Sequence, residues 1–80
     1  MQVVFYTRNQ CHLCKEAKEL LTILKNEYSF ELIEKNIDES DELTEKYGLM
    51  IPVIEINQEI VQYGQIDYFT ISNCLKERLC

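Results

Sequence analysis

Two cysteines three positions apart, in Cys11-His12-Leu13-Cys14, stand between a run of β-forming residues and a long stretch of helical period. The run Gln2–Thr7 contains Val3, Val4, Phe5 and Tyr6 and is almost continuously apolar, which predicts a strand buried on both faces. Arg8-Asn9-Gln10 is a short polar loop. Leu13, Ala17, Leu20, Leu21, Leu24 and Tyr28 then recur at the spacing of one helix face, with Lys15, Glu16, Lys18, Glu19 and Lys25 on the others, so a helix is predicted over Cys11–Glu27. A cysteine pair placed at a helix N-terminus has a chemical consequence. The two-residue gap brings both sulfurs within disulfide reach. The unpaired N–H groups and partial positive charge of the helix end favour thiolate over thiol, and the thiolate is the nucleophile. Arg8, three residues before Cys11, and Lys15 and Lys18 after it form a local basic cluster, to which a protonated His12 adds charge and so tunes the thiolate. The division of labour expected is that Cys11, the more exposed sulfur, attacks a substrate disulfide and Cys14, one turn into the helix, resolves the mixed disulfide.

Composition narrows the alternatives. With 14 acidic and 8 basic residues the net charge is −6, which argues against a sequence-independent nucleic-acid surface. No apolar run approaches the ~18 residues of a membrane span, and the start lacks the marks of a signal peptide, so a cytoplasmic location is expected. There, four cysteines are not expected to form a structural disulfide framework, and a short fixed spacing points to redox catalysis or metal binding. Zinc needs four ligands, and Cys11 and Cys14 supply two. Cys74 and Cys80 are six apart and His12 lies inside the motif, so no metal site is expected. Lys15 stands where a c-type haem motif has His. Cys74 reads as a small core residue of the last helix, and Cys80, the final residue, as exposed.

The rest of the chain completes a single domain over residues 1–80. A second strand is predicted over Phe30–Ile37. Capping oxygens at Asp38-Glu39-Ser40-Asp41 introduce a short helix over Asp41–Tyr47, with Gly48 as a left-handed stop. Ile51-Pro52 opens a strand Val53–Ile56, and Asn57-Gln58 joins it to Glu59–Gln62 as an antiparallel hairpin. Gly64 breaks the pattern, and a last helix over Asp67–Leu79 carries Tyr68, Ile71, Leu75 and Leu79 on one face. The order βαβ–α–ββ–α implies a parallel pair with a right-handed crossover, then a hairpin, with helices covering the sheet.

Strand, Cys-x-x-Cys, helix, strand, short helix, x-Pro, hairpin, Gly and helix together resemble the glutaredoxin branch of the thioredoxin superfamily over nearly the whole chain, and most of all the small bacterial glutaredoxin-like proteins with Cys-His-Leu-Cys. The resemblance implies an α/β thioredoxin fold: a four-stranded mixed sheet flanked by three helices. On residues alone an X–Pro bond is expected trans. The resemblance instead implies a cis Ile51–Pro52 bond beside Cys11, with the Ile51 backbone pairing to a bound thiol peptide. It implies that Arg8 stabilises the thiolate or binds a glutathione carboxylate. It also implies that Gly64 and Asp67, which match two positions of the family's Gly-Gly-x-x-Asp, hold the γ-glutamyl end of glutathione, although Asp67 as a helix N-cap and Gly64 as a simple turn explain those residues equally well. Tyr63 replaces the first Gly, Cys-His-Leu-Cys replaces Cys-Pro-Tyr-Cys, and Met50-Ile51-Pro52 replaces Thr-Val-Pro. Tyr6 and Tyr63 are candidates to line a peptide or glutathione groove, and Tyr47 reads as core. The activity implied is that of a thiol–disulfide oxidoreductase acting on protein or small-molecule disulfides or glutathione mixed disulfides. It would be monomeric, without a permanently bound cofactor, and re-reduced by glutathione or a thioredoxin-reductase-type donor. The alternative is a carrier in which Cys11 and glutathione hold an iron–sulfur cluster between two monomers.

Overall fold

Alternation within the first strand decides the layering. In β1 (Gln2–Thr7), Val3 and Phe5 point into one core while Tyr6 points into another on the opposite face. The computed structural model describes residues 1–79; the expectations for Cys80 and for the Leu79 side chain lie outside it. The remaining elements are α1 (His12–Glu27), β2 (Glu31–Asn36), a 3-10 turn at Ile37–Glu39, α2 (Asp41–Tyr47), β3 (Val53–Ile56), β4 (Glu59–Tyr63) and α3 (Tyr68–Leu79). The strands lie in the order β2-β1-β3-β4. β1 runs parallel to β2 with Thr7 opposite Asn36, and antiparallel to β3 with Phe5 opposite Ile54. The β3–β4 pair is antiparallel with a register shift at Ile54/Glu55. Asn57 and Gln58 both adopt positive φ, 52° and 70°, as a two-residue hairpin turn of this twist requires.

The larger core lies between the sheet and helices α1 and α3. It gathers Val3, Phe5, Ile54 and Ile56 from the sheet with Leu21 and Leu24 of α1 and Ile71 and Leu75 of α3, all essentially without exposure. Each such side chain contributes about 2 kcal/mol by leaving water. Tyr28 and Ser72 share a hydrogen bond (3.1 Å), and the Tyr68 hydroxyl donates to Glu27, tying the end of α1 to α3. The smaller core, Tyr6, Ile37, Tyr47 and Val53, lies under α2.

The expected architecture is the observed one, with local corrections. Cys11 is the N-cap of α1 rather than its first residue. Leu13 is not part of the apolar stripe: Cys14 takes the core position beside Ala17, Leu21 and Leu24, and Leu13, one residue earlier and about 100° around the helix, stands exposed. The second strand is shorter at both ends. Phe30 is buried before it begins, and Ile37 is buried in the 3-10 turn that follows. The last helix begins at Tyr68, and β4 runs on to Tyr63. Gly48 is not left-handed: its φ and ψ are −55° and −32°. A β-carbon there would sit 2.5 Å from the Thr44 carbonyl oxygen, so glycine is demanded by space rather than by handedness.

Candidate functional site

The loop after β1 delivers Cys11 to the helix end. Gln10 turns the chain through the left-handed region (φ 59°), and Cys11 follows in extended conformation (φ −109°, ψ 111°). Its sulfur takes the place an N-cap oxygen usually holds: the Cys14 N–H donates to Cys11 Sγ at 3.2 Å, while the Lys15 N–H donates to the Cys11 carbonyl at 3.1 Å. The two Cα atoms are 5.2 Å apart and the sulfurs are joined as a disulfide, a separation suited to that bond. The pair is asymmetric. Cys14 is 2% exposed and sits in the larger core, whereas Cys11 is only half-buried at its edge.

Around the pair lies an open depression of about 480 Å³ that brings Arg8, Cys11, His12 and Cys14 together with Lys15 and Lys18. The parallel register sets Thr7 against Asn36 and so carries Arg8 to Asp38, with Nε 3.0 Å from Oδ1. His12 is largely exposed and pairs with Glu16 one turn on (3.3 Å), and Lys18 pairs with Glu34 of β2 (3.5 Å). Sequence reasoning missed Asp38 and Glu34: the register of β1 on β2 brings Asp38, in the turn after β2, to Arg8, and the placement of α1 beside β2 brings Glu34 to Lys18.

The other four candidates do not line this depression. Ile51 and Pro52 form a cis peptide in the loop between α2 and β3. The Ile51 N–H already donates to the Tyr47 carbonyl (3.1 Å), so it is engaged within the chain. Gly64, at φ 79°, donates its N–H to the carbonyls of both Met50 (2.9 Å) and Pro52 (2.8 Å), fastening the proline loop to the end of β4. Asp67 caps α3. Its carboxylate accepts from the Thr70 N–H (3.1 Å), the Thr70 hydroxyl and the Gln62 side-chain amide (3.0 Å), while its own N–H donates to Gln62 Oε1 (3.0 Å). These bonds, led by the Thr70 hydroxyl, lower its carboxyl pKa to about 2. Tyr63 projects into solvent, whereas Tyr6 is buried and stacked on Tyr47 with ring centroids 4.4 Å apart. Tyr6 is therefore core and does not line the depression beside Cys11; it borders a separate cavity with Val4, Ile33, Lys35 and Glu55. Burial, together with the hydrogen bond and charge of Glu55, raises its hydroxyl pKa. Among the described residues no group of three or more His, Cys, Asp or Glu gathers as a metal site, and no helix is long and apolar enough to cross a membrane.

Comparison with known proteins places this geometry in context. The family described as a glutaredoxin-like domain (DUF836) matches residues 2–76. A solution NMR structure of a protein from Nitrosomonas europaea is similar at 33% identity and TM-score 0.77, over 92% of this chain and 89% of that one. A structural-genomics target protein from X. campestris matches at 25% identity and TM-score 0.79, over 94% of this chain and 96% of that one. A mutant thioredoxin from Halobacterium salinarum shares the fold, with TM-score 0.71 at 17% identity, over 95% of this chain and 72% of that one.

Proposed function

The chain belongs to the glutaredoxin-like domain family, within the glutaredoxin and thioredoxin superfamily, and on that footing we propose that it is a thiol–disulfide oxidoreductase in which Cys11 attacks and Cys14 resolves. The observation that carries this is the asymmetry of the pair at the start of α1: a half-buried Cys11 at the N-cap and a buried Cys14 behind it. In the reduced protein the Cys14 N–H, the helix end and the neighbouring cations stabilise a Cys11 thiolate. That thiolate attacks one sulfur of a substrate disulfide. The substrate S–S bond breaks, one thiolate leaves, and a mixed disulfide forms on Cys11. Cys14 then loses its proton to solvent and attacks Cys11 Sγ, expelling the second substrate thiolate and closing the Cys11–Cys14 bond. Two electrons pass from the dithiol to the substrate. An external thiol, glutathione or a thioredoxin-reductase-type donor, returns them.

Arg8 acts beside Cys11 as part of the cationic wall, held in place by Asp38. His12 contributes charge when protonated, partly balanced by Glu16. Gly64 positions the Ile51–Pro52 loop by its two hydrogen bonds, and Asp67 anchors the helix that follows. Substitution separates the two sulfurs. Cys11→Ser is expected to abolish reduction of a small disulfide, while Cys14→Ser accumulates a mixed disulfide visible by mass spectrometry. Normal turnover by the Cys11→Ser protein rules the assignment out.

A further inference from the structure

The sheet has a second face, and α2 covers only part of it. Seven residues make a helix about 10 Å long. It closes over Tyr6 and Val53, while Val4 and Ile33, farther along the same face, stay half-buried. They floor a cavity of about 530 Å³ that is separate from the depression at the sulfur pair. Register fixes what stands around this floor. Ile33 and Glu55 lie opposite Val4 on its two sides, and Lys35 lies opposite Tyr6. One wall therefore carries a cation and the other a carboxylate, on strands that flank β1 and so stand about 10 Å apart. The two are not paired with each other, and neither has another ion-pair partner among the described residues. Glu55 accepts from the Tyr47 hydroxyl (3.3 Å), and a carboxylate has room for further donors. Lys46, the one cation of α2, is engaged with the Tyr47 ring, its Nζ 5.1 Å from the centroid. The side-chain amides of Gln2 and Gln58 line the end of the cavity away from α2.

We infer that this cavity binds a small apolar zwitterion of dipeptide size, with its ammonium against Glu55, its carboxylate against Lys35 and an apolar side chain on Val4 and Ile33. Opposite charges held apart over an apolar floor are complemented by a ligand that carries the same charges reversed. The span sets its length. Two extended residues reach about 7 Å, which with a contact of about 3 Å at each end is enough to bridge the walls. A single amino acid, with both charges on one carbon, meets one wall only. The Gln2 and Gln58 amides, which both donate and accept, match the peptide group between the two charges. The site takes no part in the sulfur chemistry and stands whether or not Cys11 is the attacking thiol.

Isothermal titration calorimetry on the full chain, with its disulfide closed, tests this with leucylleucine as the probe. N-acetyl-leucylleucine, which lacks the cation, leucylleucine amide, which lacks the anion, and free leucine are titrated beside it. Leucylleucine should bind saturably. Removing either of its charges should weaken binding about fivefold, the effect of one close charge pair in a wet site, and free leucine should bind more weakly still. Glu55→Gln should weaken leucylleucine by a similar factor and leave it no better a ligand than its acetylated form. Lys35→Gln should do the same relative to the amide. Lys35 is exposed, so Lys35→Gln carries the test even if Glu55→Gln unsettles the Tyr47 contact. Lys15→Gln, beside the sulfur pair, should change nothing. Absence of saturable binding overturns the inference. So does equal binding of the acetylated or amidated form, a Lys35→Gln protein that binds as the parent does, or an equal loss in Lys15→Gln. Free leucine binding as tightly as leucylleucine overturns the assigned length.

Discussion

Single residues fix the geometry around the sulfur pair by different physical means. Gly64 is needed for its backbone angle, since a β-carbon would meet nothing within 4 Å while φ is +79°. Gly64→Ala should therefore cost about 1–2 kcal/mol, measured by urea unfolding, and should loosen the Met50–Pro52 loop that its N–H holds. Asp67 serves through its charge. Its carboxyl pKa falls from 3.8 to about 2 in the folded chain, so its stabilising effect is complete above 3.8 and is lost as pH drops through about 2. Asp67→Ala should lower the melting temperature at neutral pH and flatten its dependence on pH between those two values. Cys11 combines two roles that are usually separate, since the sulfur that caps the helix is also the sulfur of the disulfide.

At the scale of elements, α1 connects chemistry to stability, because the helix that begins at Cys11 is seated in the core by Ala17, Leu21 and Leu24. Leu24→Ala should cost about 2–5 kcal/mol in unfolding free energy. At the far end of α2, Gly48→Ala should cost about 1–3 kcal/mol, since the added methyl meets the Thr44 carbonyl. The order of elements was legible in the sequence because periodicity changes sharply at Arg8-Gln10, at Gly48 and at Asn57-Gln58. The position of the cysteine pair was legible for the same reason. What sequence could not supply was long-range. Arg8 with Asp38 follows from strand register, Lys18 with Glu34 from the placement of α1 beside β2, and the burial of Tyr6 from its stacking on Tyr47. The Gly48 mistake was one of mechanism: glycine after a helix suggests a left-handed stop, and here a close approach to Thr44 explains it.

In the molecule as a whole, two cores of unequal size share one sheet, and Ile51, at the cis peptide, packs against both. The sulfur pair lies at the edge of the larger core, at the end of the central strand β1, so the packing of Val3, Phe5, Leu21 and Leu24 underlies the site directly. The chain carries a net charge of −6, yet Arg8, Lys15 and Lys18 line the depression at that point. The proposed activity turns on one property, a Cys11 sulfur that is a thiolate at neutral pH once the disulfide is reduced. Limited alkylation of the reduced protein over a range of pH, with each cysteine's modification followed by mass spectrometry, measures it directly. Cys11 should be modified first, with a midpoint well below the free-thiol value of about 8.5, and Cys14 and Cys74 far more slowly. Modification of Cys14 before Cys11, or a Cys11 midpoint at the free-thiol value, would contradict it.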